Sequence, residues 1–134
     1  MPTESDVVYL DASALIKLVL EEEGSDELRT ALGGWPRRVS SKISIVEVVR
    51  AVRLRDHAAE PLARSVLAHT GLVAVSDRLL VTAVTLDPPT IRALDAIHLA
   101  SALRLAARLA AFVSYDARQL EAAAALGLSV ASPR

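Results

Sequence analysis

Short apolar runs that alternate with helix-forming segments restrict the fold of this sequence more than any other feature. Residues 7–10 (Val-Val-Tyr-Leu) are rich in β-branched and aromatic side chains, as buried strands are, and residues 14–22 repeat apolar side chains at helical spacing. The alternation continues and predicts strands at 7–10, 38–40, 72–75, 112–114 and 128–131, and helices at 14–22, 26–32, 43–55, 60–69, 77–84, 94–108 and 117–126. Ser25 and Ser76 are expected to cap the helices that they precede. Such alternation indicates an α/β fold with a mostly parallel sheet and helices on both faces.

Length and composition fit a single domain over residues 1–134 with ample apolar surface for a core, since 52% of the residues are hydrophobic. No apolar stretch reaches the ~18 uncharged residues of a membrane span. The first ten residues are acidic rather than basic and have no apolar core, so we expect a chain that is not exported. The absence of cysteine excludes disulfides and thiolate metal sites, and fits a reducing cytoplasm.

The charge balance limits how the chain could contact nucleic acid. A net charge of −1 argues against a protein that coats nucleic acid by bulk charge, and an aromatic content of 3% argues against recognition by base stacking. A nuclease with a local basic patch beside an acidic site remains compatible with both numbers.

Four acidic residues occupy informative positions relative to these elements. Asp11 follows the first predicted strand and Asp116 follows the fourth, and ligands of open parallel sheets bind beyond the carboxyl ends of strands. Asp95 begins a helix, and Glu47 lies in the first turns of another helix among apolar neighbours. A carboxylate in such surroundings requires a partner, a hydrogen bond or a metal ion.

Each acid taken alone also has a purely structural explanation. Arg50 lies one turn after Glu47 and could form an ion pair with it. Asp95 could satisfy free amides in the first turn of its helix, and Asp11 and Asp116 could act as N-caps. The combination of the four acids is more specific than any one of them.

Four motifs that contain these acids resemble those of PIN domains, in particular of VapC-type toxins from bacterial toxin–antitoxin pairs. The motifs are VVYLDASALIKL with Asp11, SSKISIVEVVRA with Glu47, IRALDAIHLASAL with Asp95 and FVSYDARQLEAAAALGL with Asp116. They occur in the family's order and span residues 7–128, and none lacks its acid. The run Asp-Ala-Ile-His-Leu-Ala at 95–100 is the most specific of them.

The resemblance implies a Rossmann-like sheet of about five parallel strands, with the four acids converging in a cleft. It implies that Asp11, Asp95 and Asp116 hold Mg²⁺ or Mn²⁺, directly or through water, and that Glu47 is a ligand or orients the attacking water. The expected reaction is hydrolysis of RNA that leaves a 5′-phosphate and a 3′-hydroxyl. The expected partners are the RNA substrate, a VapB-type antitoxin that blocks the cleft, and a second copy of the chain in a homodimer.

Several further residues are candidates for supporting roles. Ser13 is either an N-cap or a group that holds Asp11, and Ser114 is expected to help position Asp116. His98 is expected to be a hydrogen-bonded, partly buried histidine rather than a metal ligand, because no second histidine lies at ligand spacing. Basic residues near the expected cleft could contact phosphate, with Arg50 expected to point inward; they are Arg37, Arg38, Lys42, Arg50, Arg53 and Arg55.

Three other functions compete with a toxin ribonuclease. The first is a PIN-type nuclease in RNA processing or on structured DNA, and the second is a non-catalytic PIN binding module, which would be expected to lose acids. The third is a phosphoacceptor or phosphatase domain with Asp11 as nucleophile. Such phosphatases usually carry a second aspartate where this chain has Ser13, and receiver domains carry a late lysine, whereas the last lysine here is Lys42.

Overall fold

Five parallel strands form one sheet in the order β3-β2-β1-β4-β5 in the computed structural model, which describes residues 6–134. The expectation about export rests largely on residues 1–5 and lies outside the described residues. The strands are β1 (Val7–Leu10), β2 (Arg37–Ser41), β3 (Gly71–Val73), β4 (Leu109–Val113) and β5 (Val130–Ala131). The predicted α/β fold with a five-stranded parallel sheet is therefore confirmed.

Seven α-helices connect the strands of the described chain and cover both faces of the sheet. They are α1 (Ala12–Lys17), α2 (Ser25–Leu32), α3 (Ser44–Arg55), α4 (Glu60–Ala68), α5 (Asp77–Val84), α6 (Ala93–Leu103) and α7 (Ala117–Ala125). No helix within residues 6–134 combines the length and apolarity needed to cross a bilayer.

Strand alternation divides the core into two layers. Val8 and Leu10 face one layer with helices α1 to α4, where Leu15 and Val48 are fully buried. Tyr9 points to the opposite layer and stacks on Phe112 of β4, with ring centroids 5.3 Å apart. Because side chains alternate across a strand, one four-residue strand anchors both layers.

The first helix is shorter than predicted and Ser25 does not cap the second. α1 ends at Lys17 rather than near residue 22, because the Ser25 hydroxyl donates to the Lys17 carbonyl at 2.9 Å and accepts the Glu22 amide at 2.9 Å. Gly24 occupies the cap position of α2 with φ at +92°, a conformation that favours glycine. Ser25 thus closes the turn between two helices.

The other differences lie at element ends. α6 stops at Leu103 instead of 108, and a 3₁₀ turn at Ala106–Arg108 leads the chain into β4. β4 begins earlier than predicted and ends at Val113, so Ser114 lies just beyond the strand. The Ser76 cap is confirmed, since its hydroxyl accepts the Leu79 amide at 3.1 Å.

The strand order places a topological switch point between β1 and β4. From β1 the chain builds outward through β2 to β3, and later returns to the other side of β1 as β4 and then β5. Leu10 pairs with Val113, so the carboxyl ends of these strands lie side by side. Open α/β sheets bind their ligands in the crevice at this point.

Candidate active site

Asp11 lies at the switch point, directly after β1, and is 5% exposed. One carboxylate oxygen accepts hydrogen bonds from the Ser13 hydroxyl at 2.6 Å and the Ala14 amide at 3.1 Å. The other oxygen accepts the Ser114 hydroxyl at 2.5 Å. Burial raises the pKa of Asp11, and the bonds from Ser114 and Ser13 act in the opposite direction. These donors hold the carboxylate in one orientation.

The two serine hydroxyls also fix the loop that carries Asp116. The Ser13 hydroxyl accepts the Tyr115 amide at 2.9 Å, and the Ser114 hydroxyl accepts the Asp116 amide at 3.1 Å. Each hydroxyl therefore donates to Asp11 and accepts from the turn after β4. Ser13 is not a cap, because Asp11 itself is the N-cap of α1. Ser114 supports Asp11 as well as the backbone of Asp116.

Glu47 is held by a buried histidine rather than by Arg50. The Nε2 atom of His98 lies 2.7 Å from Oε1 of Glu47, and its Nδ1 atom lies 2.7 Å from the Tyr9 hydroxyl. Burial raises the pKa of Tyr9, so the phenol keeps its proton and can donate to Nδ1. The neutral tautomer that satisfies both contacts carries its proton on Nε2 and donates to Glu47.

Arg50 contradicts its predicted role, because it is exposed and makes no ion pair with any described residue. The buried face of α3 consists of Ser44, Val48, Val49 and Val52 and does not include Val46, Arg50 or Leu54. Val46 is 59% exposed and Leu54 is 87% exposed. Glu47 flanks the buried face on the side of His98, whereas Arg50 turns to solvent.

Asp95 and Asp116 face one guanidinium. Arg92 lies just before α6, with Nε 3.7 Å from Asp95 and Nη2 3.8 Å from Asp116. Asp116 is also the N-cap of α7, whereas Asp95 lies in the first turn of α6 without a capping bond. Desolvation raises the pKa of Asp95, Arg92 opposes this, and Asp116 and Glu47 add repulsion. The acids of three elements therefore act on one another electrostatically.

The donor chemistry fits a hard divalent cation, but the described side chains do not form a finished metal centre. Carboxylate oxygens that repel one another are the ligands that Mg²⁺ and Mn²⁺ prefer. Within residues 6–134, however, no three acidic, histidine or cysteine side chains are arranged to hold one ion. Arg92 supplies the positive charge between Asp95 and Asp116 in this arrangement. The set of four metal ligands stays a prediction.

Only part of the predicted basic patch is free near the acids. Arg37, Arg53 and Arg55 pair with Asp6, Glu60 and Glu22 at 3.4, 3.3 and 2.6 Å. Arg37 also begins β2 and so lies at the edge of the sheet opposite the acids. Lys42 directly follows β2 at the carboxyl edge and is exposed, which makes it the better candidate for phosphate contact.

Four residues near the acids had not been predicted to serve the site. They are Tyr9, Arg92, Arg118 and Gln119. A signal existed for Arg92 and Arg118, since each is a charged residue within three positions of a motif acid. The sequence contains no such signal for Tyr9 and Gln119, because their contacts join residues 89 and 24 positions apart.

Fold and site together define a class: a Rossmann-like domain with acidic side chains around its switch point. The PIN domain family profile matches residues 8–125. Mycobacterium tuberculosis ribonuclease VapC46 is 43% identical over 94% of this chain and 97% of its own length. Ribonuclease VapC47 of the same species is 36% identical over 95% of this chain and 97% of its own. The chain therefore belongs to the PIN domain family and, within it, groups with the VapC proteins.

Solved structures show the same architecture. A chain of a toxin-antitoxin complex from Klebsiella pneumoniae superposes with a TM-score of 0.73 at 25% identity, covering 95% of this chain and 98% of that one. VapC20 of M. tuberculosis, a toxin that cleaves the sarcin-ricin loop, superposes with a TM-score of 0.75 over 94% of this chain and 99% of its own. At 16% identity, the second likeness concerns the fold alone.

Proposed function

We propose that this chain is a Mg²⁺- or Mn²⁺-dependent endoribonuclease and the toxin of a toxin–antitoxin pair. The observation that carries the proposal is Asp11, a buried carboxylate at the switch point with three hydrogen-bond donors aimed at it. A carboxyl group held in one orientation at the place where such sheets bind ligands suits a cation and a phosphodiester. The relatives named ribonuclease VapC, which match nearly the whole chain, support the same reaction.

Individual residues of the chain have different roles in the proposed reaction. Asp11, Asp95 and Asp116, with Glu47, would hold the metal ion, which when bound polarises the phosphate and makes water a better nucleophile. Ser13 and Ser114 keep Asp11 oriented, and His98 keeps Glu47 directed to the site. Glu47 would accept a proton from the attacking water if it is not itself a ligand.

Arg92 is suited to contact the RNA phosphate. Its ion pairs with Asp95 and Asp116 are long, and its side chain is 68% exposed, so they contribute little stability. If a cation neutralised the acids, their negative charge would no longer hold the guanidinium between them. A guanidinium can then bind phosphate oxygens in a bidentate manner.

The partners of the proposal are RNA, an antitoxin and a second copy of the chain. The toxin-antitoxin complex from Klebsiella pneumoniae supports an antitoxin partner. The exposed apolar side chains of α5 support a protein-covered surface, with Val81 at 67% and Val84 at 85% exposed.

The test is incubation of total cellular RNA with the purified chain, free of antitoxin, in Mn²⁺ or in EDTA. We expect discrete fragments with 5′-phosphate ends in Mn²⁺ only. Protein with Asp95→Asn, purified in parallel, should produce none, and Asp77→Asn, an exposed acid on α5, should cleave like the unmodified chain. Intact RNA in every reaction would contradict the proposal, as would equal cleavage in EDTA.

A further inference from the structure

Arg92 is the counter-charge of two of the four acids. Its Nε atom lies 3.7 Å from Oδ2 of Asp95, and its Nη2 atom lies 3.8 Å from Oδ2 of Asp116. Asp95 belongs to α6 and Asp116 caps α7, so one guanidinium faces acids from two different helices. Within residues 6–134, no other basic side chain lies within ion-pair distance of either carboxylate.

The acids, rather than the helix that Arg92 precedes, favour a cation at this place. Arg92 is the N-cap residue of α6, and its carbonyl accepts the Ala96 amide at 2.9 Å, which fixes its backbone at the start of the helix. Its side chain makes no capping bond. A positive charge at a helix N-terminus is unfavourable, because the helix dipole is positive at that end. The contacts with Asp95 and Asp116 therefore hold the guanidinium where it lies.

The proposed metal site uses the same two carboxyl groups. A divalent cation held by Asp95 and Asp116 would lie close to the guanidinium, and like charges at such short range repel each other even in water. The Arg92 side chain is 68% exposed and its two ion pairs are long, so it can leave the acids at little cost. The guanidinium and the metal ion are therefore alternatives at these acids.

We propose that Arg92 is a built-in competitor of the divalent cation. In the metal-free chain its guanidinium neutralises Asp95 and Asp116, and a metal ion binds these acids only by displacing it. The inference rests on the proposed function, because it concerns the metal site assigned there. Arg92 would thereby lower the affinity of the site for Mg²⁺ or Mn²⁺ and set the metal concentration at which the site fills.

Titration with Mn²⁺, followed by the EPR signal of the free ion, measures this competition without any catalysis. Arg92→Gln should bind Mn²⁺ about three- to tenfold more tightly than the unmodified chain, because a positive charge beside the ion is removed. Arg104→Gln is the matched control, since Arg104 is an exposed arginine at the other end of α6. It lies roughly 16 Å further along the helix, beyond the screening length of about 10 Å in 0.1 M salt, and its loss should leave the affinity unchanged.

The displacement itself should be visible in the NMR signal of the Arg92 Nε–H group. This signal is assigned as the one that disappears in Arg92→Gln, and the Arg104 signal is assigned in the same way. Saturation with Mg²⁺ should shift the Arg92 signal and leave the Arg104 signal in place. Equal Mn²⁺ affinities of the unmodified chain and Arg92→Gln, equal gains in Arg92→Gln and Arg104→Gln, or an unmoved Arg92 signal would each overturn the competition.

The outcome separates this inference from the proposed function. Tighter Mn²⁺ binding by Arg92→Gln than by Arg104→Gln, with RNA left intact by the unmodified chain, would support the competition and contradict the ribonuclease. Cleavage of RNA in Mn²⁺ by a chain whose Mn²⁺ affinity does not change in Arg92→Gln would support the ribonuclease and overturn the competition.

Discussion

Asp11 and Asp95 are both carboxyl groups with a raised pKa, but they differ in their hydrogen bonds and in the charges around them. Asp11 has three hydrogen-bond donors that favour its ionised form and partly offset its burial. Asp95 has no capping bond and faces the repulsion of Asp116 and Glu47, opposed by Arg92. Burial therefore disfavours the ionised form of both acids, but hydrogen bonds hold the Asp11 carboxyl group in one orientation, whereas Asp95 has no such bond.

The destabilising effect of ionised Asp95 should be measurable as a dependence of the free energy of unfolding on pH. Because its pKa is raised above the unfolded value, ionisation favours the unfolded chain. The loss of stability is complete above the folded-state pKa, shrinks as pH falls, and vanishes below about pH 4. In EDTA, Asp95→Asn should therefore raise the melting temperature at pH 8 by about 1–3 °C. This gain should shrink between pH 8 and pH 4. Thermal scans would contradict the account if the variant melted lower at pH 8.

His98 should matter for stability as well as for the orientation of Glu47. His98→Leu leaves the Tyr9 hydroxyl and the Glu47 carboxylate without their partner at a buried position. We expect the free energy of unfolding to fall by about 1–3 kcal/mol in urea titrations. His69→Leu, at an exposed histidine after α4, is the control and should change it much less. Equal losses in the two variants would show that the buried contacts contribute nothing.

At the scale of elements, the residues that define the site come from helix starts and strand ends. Asp11 and Asp116 cap α1 and α7, Asp95 lies in the first turn of α6, and Glu47 lies in the first turn of α3. Parallel strands bring these helix N-termini to one edge of the sheet, where the helix dipoles favour negative charge. The same topology that builds the sheet therefore assembles the acids.

Ser25 joins two of these elements. Its hydroxyl bonds to the carbonyls of Lys17 and Leu20 and accepts the amide of Glu22. Ser25→Ala should lower the free energy of unfolding by about 1–2 kcal/mol, because those partly buried backbone groups lose their partner. Ser129→Ala, at an exposed serine before β5, serves as the control in the same urea titrations. A loss no larger than that of the control would contradict the role assigned to Ser25.

The sequence predicted elements where local signals are strong and failed where contacts are distant. The β1 run and the Ser76 cap could be predicted because periodicity and cap chemistry are local. The early end of α1 could not, since it depends on the Ser25 side chain eight residues from Lys17. Arg50, a near neighbour, was the partner that the sequence offered for an ion pair with Glu47, whereas the observed partner His98 lies 51 residues away.

For the whole molecule, the motif acids could be named from the sequence, but their relation to one another could not. The position of Arg92 in the sequence does not indicate that its side chain faces both Asp95 and Asp116. The exposed apolar side chains of α5 were likewise not distinguished from core residues. Their exposure appears only once α5 and α6 pack together through Leu79, Ala83 and Ala96.

This α5 surface supports the expected homodimer. Leu80, Val81 and Val84 are 40%, 67% and 85% exposed, and an exposed apolar patch of this kind marks contact surfaces. If a second copy covers it, Val84→Lys should shift the protein toward monomer in light scattering. Leu54→Lys, at an equally exposed apolar residue on α3, should not. A monomeric unmodified chain at high concentration would contradict the dimer.

The most direct test of the central claim compares cleavage rates of one defined RNA in Mn²⁺ by single variants of the four acids. Asp11→Asn, Glu47→Gln, Asp95→Asn and Asp116→Asn should each lower the rate by about 100-fold or more while the protein remains folded. Asp77→Asn should cleave at the unmodified rate. If one or more of the four variants cleaved as fast as the control, the acids would not form one active site.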